Sequence, residues 1–190
     1  MYLLVAGLAL FIGIHSISIV NESLRDRLCE QWGEKAWKGV YTLISVVGFV
    51  LLIYGYGQAR QAPVVLYETP HWFRYISYGL MLFVFPLFLA ANFPGKIKAA
   101  AKHPLLAATK IWAFSHLLVN GSLADVVLFG SFLAWAVLDR ISMKRRVQRP
   151  IMALPESALN DIICVVVGLG IYAAFVFWLH AKWIGVALPI

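Results

Sequence analysis

The chain has 190 residues, 62% of them hydrophobic, with a mean hydropathy of +0.80 and a formal charge of +7. A soluble domain runs about 45–50% apolar, so this excess cannot be buried in one small water-facing core and the solvent must be lipid. Disordered and collagen-like chains are excluded by the same figure. Nucleic acid is not the expected partner of the positive charge, because the basic residues fall in short connections between apolar runs.

Six apolar runs follow in order, at about residues 2–20, 40–57, 72–91, 104–119, 123–138 and 162–179. A membrane-spanning helix needs about 20 such residues. The expected fold is therefore all-α, a polytopic transmembrane bundle of about six helices forming a single integral membrane domain over 1–190. The first run has no basic residue ahead of it, unlike a secretory signal, and is read as a retained helix. The polar stretch 21–38 follows it. Apolar Leu24, Leu28, Trp32 and Trp37 recur there near helical spacing, among Glu22, Asp26, Glu30 and Glu34. It reads as an amphipathic helix lying on the cytoplasmic surface. The fourth and fifth runs are short and are parted only by Asn120-Gly121-Ser122, a tight turn between antiparallel helices. The connector 140–159, with Pro150 and Pro155, is the most flexible-looking stretch.

Charge sets the expected orientation. Twelve of the 16 basic residues lie after the first run (Arg25, Arg27, Lys35, Lys38), the third (Lys96, Lys98, Lys102) and the fifth (Arg140, Lys144, Arg145, Arg146, Arg149). Arg60, Arg74 and Lys182 lie on the other side. This puts both termini outside the cytoplasm and the three basic connectors inside it. Tyr2, Tyr54, Tyr56, Tyr67, Trp72, Trp178 and Trp183 then form an outer aromatic belt, and Trp32, Trp37, Tyr41 and Trp135 an inner one. Cys29 and Cys164, in a polar connector and an apolar run, read as two free thiols.

The fourth run carries the most unusual residues. Pro104 suits the first turn of a helix, where its missing N–H costs nothing. Lys110 and His116 then stand inside an apolar segment. A charged group at mid-bilayer costs about 2.5–3.5 kcal/mol on insertion scales, so such residues face protein, water or a cofactor. His15 is embedded in the first run in the same way. A lone histidine of this kind is usually a hydrogen-bonded structural residue. Two on separate helices of one bundle also suit metal or haem ligation, since neutral imidazole is a common iron ligand. Lys110 has two readings, snorkelling to the headgroups or pairing with an anion such as a haem propionate. Trp112, His116 and Asn120 recur at four-residue spacing and share a helix face. Trp112 either lines a flat ring or packs, and Asn120 either joins that face or caps the turn. His103 begins the helix or offers a third imidazole; His71 and His180 sit at helix ends within reach of water. No phosphate loop, HExxH or nucleophile elbow is present. Hydrolase, kinase and metalloprotease chemistry is therefore not indicated.

The segment from Lys102-His103-Pro104 through Lys110-Ile-Trp-Ala-Phe-Ser-His116 to Asn120-Gly121, then Leu128-Phe-Gly-Ser-Phe through Leu138, closely resembles the NnrU family. Gly13-Ile-His15-Ser in the first run fits as well. The resemblance covers about residues 1–185 and is most specific over 102–139. It implies a multi-pass bacterial membrane protein associated with nitrite and nitric oxide reduction. Zeta-carotene isomerase, which binds haem b and isomerises a cis double bond, is similar. That similarity implies a haem b held between the first and fourth helices by His15 and His116, and redox or isomerase chemistry on a lipophilic small molecule. The isomerase has a cysteine three residues before its second ligand where this chain has Ala113, so its ligand switching is not carried over. Isoprenylcysteine-type methyltransferases, which use S-adenosylmethionine, are a weaker likeness through Lys102-His103-Pro104. A non-catalytic membrane assembly factor is the third alternative.

His15 lies about five residues from the inner end of its helix and His116 about twelve from the inner end of its own. At about 1.5 Å per residue the depths differ by about 10 Å. Tilt, or a first helix continuing past Val20, would absorb part of this. Otherwise His103 is the rival partner, or one histidine ligates alone.

Overall fold

The computed structural model describes residues 1–147 and 154–189, and about three quarters of the chain is helical. Arg149 and Pro150 of the basic, proline-containing connector lie outside the described residues. The helices are α1 (Tyr2–Val20), α2 (Glu22–Trp32), α3 (Glu34–Ala59), α4 (Phe73–Met81), α5 (Val84–Ala90), α6 (Lys96–Ala101), α7 (Pro104–Leu117), α8 (Leu123–Ser142) and α9 (Ala158–Ala174). A π-helical stretch, Phe175–Ile184, continues α9.

Each apolar run is thus helical, with three differences. First, the polar stretch 21–38 is not one helix. Asn21 caps α2 by accepting from the Leu24 N–H at 2.9 Å, and Gly33, at φ +81°, ends it. Glu34 to Lys38 form the first turns of α3 instead, with the Glu34–Lys38 pair at 2.6 Å. Only a residue without Cβ takes that φ at little cost, so Gly33 is the break. Second, the third run is interrupted at Leu82–Phe83. Pro86 has no N–H to give the Leu82 carbonyl, and its ring crowds that carbonyl, so α4 and α5 are offset pieces of one span. Third, among the described residues four helical stretches are long and apolar enough to cross a membrane: Tyr2–Val20, Glu34–Ala59, Phe73–Ala90 and Ala158–Ile184. α7 has 14 residues, and α8, with 20, carries Asp125, Asp139 and Arg140. The protein is an all-helical membrane protein.

The chain clusters into two compact units, residues 1–70 with 116–148, and residues 71–115 with 149–190. In the first, α1 and α3 form the tightest pair, and α8 packs on α1. The α1–α3 crossing runs through Gly7, Gly48 and Gly55. A Cβ on Gly7 would run into the Leu52 backbone, and one on Gly55 into the Leu4 backbone. A Cβ on Gly48 would sit 2.7 Å from the Phe11 nitrogen. Small residues let backbones in lipid approach closely, and dispersion between them replaces the missing hydrophobic drive. In the second unit α5 packs on α9. There the Asp161 carboxylate accepts from the Lys96 and Ile97 N–H groups at 2.8 and 2.9 Å. The Asn160 amide donates to the Pro94 carbonyl at 2.7 Å.

Candidate functional site

The first unit holds two of the predicted histidines, each against a different part of α8. His15 is half-buried on α1. Its Nδ1 donates to the Phe11 carbonyl at 2.6 Å. A carbonyl only accepts, so in the neutral ring the lone pair is on Nε2. Three aromatic rings surround the imidazole: Phe11 at 4.3 Å, Tyr41 at 5.1 Å and Trp135 of α8 edge-on at 6.1 Å. One turn earlier on α1, Phe11 meets Phe132 of α8 at 5.8 Å.

His116, at the end of α7, stacks on Phe129 of α8, with centroids 4.5 Å apart and planes at 25°. The other side of this cluster is polar. Tyr56 of α3 stands edge-on to Phe129 at 6.2 Å, and its hydroxyl donates to Asp125 Oδ1 at 2.6 Å. Asp125 Oδ2 accepts from the Ser122 N–H (3.1 Å) and hydroxyl (2.6 Å). Ser122 Oγ accepts in return from the Asp125 N–H at 3.3 Å, which closes a capping box at the start of α8. Arg60 lies 5.3 Å from the centre of the Tyr56 ring.

The turn between α7 and α8 is tied to the segment 64–67. The Leu66 N–H donates to the Gly121 carbonyl at 2.8 Å and the Leu123 N–H to the Val64 carbonyl at 2.8 Å. A Cβ on Gly121 would collide with the Tyr67 carbonyl, so this turn requires glycine. The Tyr67 hydroxyl is within donating distance of the Leu117 (2.5 Å) and Asn120 (3.0 Å) carbonyls. Burial pushes the Tyr67 phenol up from its ordinary value, and the nearby Asp125 charge adds to that. Asn120 serves the turn through its backbone, its N–H donating to the His116 carbonyl at 2.8 Å.

The level of each histidine follows from its partner on α8. Phe129 and Trp135 are six residues apart, about 9 Å of helix rise. The Phe11–Phe132 contact stands between them. His103, Lys110 and Trp112, half-buried, belong to the second unit. His103 follows Lys102, whose φ of +59° is unusual for a residue with a Cβ. Among the described residues, no group of three or more His, Cys, Asp or Glu is placed to hold a metal ion. Cys29 and Cys164 are free thiols.

Several residues have roles that the sequence did not show. Asp125 and Asp139 flank α8, where hydration at the helix ends would satisfy them. Both are instead buried, at 8% and 6% exposure, and bonded within the protein. Asp139 pairs with Arg146 at 2.8 Å and accepts from Ser142. Tyr56, Trp37 and Trp135, expected in interfacial belts, pack inside the first unit. Trp37 is 6% exposed, and the buried indole N–H of Trp135 meets no hydrogen-bond partner among the described residues. A signal for Asp125 was available: Ser122-x-x-Asp125 ahead of an apolar run is a capping-box pattern.

The model of the NnrU family, described as NnrU protein, matches residues 3–188. The chain belongs to the NnrU family. The match takes in residues of both units, so the family's pattern extends well beyond the stretch 102–139. No curated protein and no solved structure matches this NnrU chain.

Proposed function

We propose that this NnrU protein is a haem b protein of the membrane, with His15 and His116 as iron ligands and a role in nitrite or nitric oxide metabolism. The single observation that carries the reading is the His15 imidazole. Its Nδ1–H is already committed to the Phe11 carbonyl. Metal-ligating histidines commonly show this bond, which fixes the tautomer and presents Nε2 to the metal. The aromatic rings of Phe11, Tyr41 and Trp135 supply apolar surroundings suited to a flat macrocycle. Haem, when bound, supplies one-electron and small-ligand chemistry at its iron, or isomerisation of an apolar molecule. This chain's residues supply ligation and a low dielectric. Lys110, with Lys102 or His103, is the proposed partner of the propionates on grounds of charge. Trp112 and Asn120 complete the proposed set through their helix spacing.

The difference of about 9 Å in level gives the proposal a sharp form. Detergent-purified protein loaded with haem b should show a Soret band. His15→Ala should abolish it. His116→Ala should turn a low-spin, six-coordinate spectrum into a high-spin, five-coordinate one if both histidines meet one iron. An unchanged spectrum in His116→Ala would leave His15 as the sole ligand from this pair. No band at any haem concentration in the folded protein would end the reading.

A further inference from the structure

The rings near His15 differ in kind from one side to the other. One turn earlier on α1 they are phenylalanines, with Phe11 against Phe49 at 5.9 Å and Phe132 at 5.8 Å. Toward the α2–α3 corner they are Tyr41, Trp37 and Trp32, in an unbroken row. Ring centres lie 5.1 Å apart from His15 to Tyr41, 6.2 Å from Tyr41 to Trp37 and 6.4 Å from Trp37 to Trp32. The row follows from local structure. Trp37 and Tyr41 are four residues apart on α3 and share a face. The break at Gly33 sets Trp32, the last residue of α2, against Trp37, one turn into α3. Trp32 is 49% exposed and Trp37 6%, so the row runs from the surface to the imidazole.

We propose that Trp32, Trp37 and Tyr41 form a one-electron relay between the surface at the α2–α3 corner and the His15 site. Indole and phenol rings give up an electron to a strong oxidant, whereas the hydrocarbon ring of phenylalanine holds its electrons too tightly. Tunnelling falls off exponentially with the gap, and every separation in the row lies within the about 4.5–7 Å of interacting aromatic pairs. An electron missing from Trp32 is therefore replaced from Trp37, and one missing from Trp37 is replaced from Tyr41. Tyr41 gives up its phenolic proton with the electron, and being only half-buried it releases that proton to water. The missing electron then rests on Tyr41 as a neutral tyrosyl radical. The use of this relay rests on the haem reading. A peroxide reduced at the His15 site takes two electrons and two protons to give two waters. Tyr41 supplies the electrons one at a time, Trp37 refills Tyr41, and Trp32 refills Trp37. A one-electron reductant in the aqueous phase refills Trp32, and each electron entering there is matched by one proton drawn from water.

The relay itself needs no haem, and the test leaves haem out. A ruthenium polypyridyl photo-oxidant is attached to Cys29, one turn before Trp32 on α2, in the detergent-purified full chain. Cys164 is buried and stays unlabelled. Flash excitation with a cobalt(III) ammine as irreversible electron acceptor leaves the ruthenium one electron short. Wild type should refill it through Trp32 and Trp37 and end as a tyrosyl radical, read by electron paramagnetic resonance. Tyr41→Phe should abolish the tyrosyl signal and leave a tryptophan radical in its place. Trp37→Phe keeps an aromatic ring in the packing but not one that is readily oxidised, and it should also abolish the tyrosyl signal. Trp32→Phe, at a half-exposed site, should do the same and keeps the test should Trp37→Phe fail to fold. The absence of a tyrosyl radical in folded wild type would overturn the proposal. So would a tyrosyl signal that survives undiminished in Tyr41→Phe or in either tryptophan variant. These outcomes hold whatever the Soret band shows, so failure of the relay and failure of haem binding are read separately.

Discussion

The two ends of α8 bury the same residue type in different ways. At the start, Asp125 is held by neutral donors, the Tyr56 hydroxyl and the N–H and hydroxyl of Ser122. At the end, Asp139 is held by the Arg146 guanidinium, with Ser142 as a second donor. The first arrangement spreads one charge over three hydrogen bonds from two elements. The second concentrates it in one ion pair between residues seven apart in sequence. A buried ion pair gains little over an apolar replacement, yet losing one partner strands a charge. A carboxylate solvated by neutral donors leaves only polar groups behind when it is removed. The same helix therefore has one end that is sensitive to single substitutions and one that tolerates them better.

Unfolding in detergent should rank the two ends. Asp139→Ala is expected to cost the most, about 3 kcal/mol, the lower part of the range for a broken buried pair because Arg146 keeps some water. Replacing both partners, Asp139→Leu with Arg146→Met, should recover most of that loss, and a double replacement no better than the single would remove the ion pair from the explanation. Asp125→Ala should cost about 1.5–3 kcal/mol, the worth of hydrogen bonds to a charged group. Should it exceed Asp139→Ala, the comparison is inverted. Ser122→Ala removes the cap and its reciprocal bond, for about 1 kcal/mol.

Tyr67→Phe is the smallest change, about 0.5–1 kcal/mol at neutral pH for one neutral hydrogen bond. Its pH dependence is the sharper signal. The folded-state pKa of Tyr67 lies above its ordinary value, so folding holds its proton more tightly than the unfolded chain does. That contribution is complete below about pH 10, where the unfolded phenol is still protonated. It is lost as pH rises from there through the folded value. Wild type should therefore lose stability faster than Tyr67→Phe above about pH 10, and identical alkaline limbs would remove Tyr67 from that end of α8.

Much of the site is a question of level, which periodicity does not report. The offset between His15 and His116 was legible by counting residues from the helix ends. The rings that mark each level, Trp135 and Phe129, were not, because any aromatic in an apolar run reads equally well as lipid-facing. The break at Gly33 is hidden in the sequence because the flanking helical pattern continues through it. The interruption before Pro86 is masked in the same way, although proline itself interrupts helices.

Local chemistry decided what short-range rules govern: apolar runs become helices in lipid, Pro104 opens α7, and the family pattern spans residues 3–188. Packing decided the remainder. Which glycines let α1 and α3 touch, which donors satisfy Asp125 and Asp139, and which ring lies against each histidine all depend on residues far apart in the chain. In an apolar run every face offers similar surface to lipid, and a preference for one neighbour arises only when a second helix brings a hydrogen bond, an opposite charge or a close backbone to meet it.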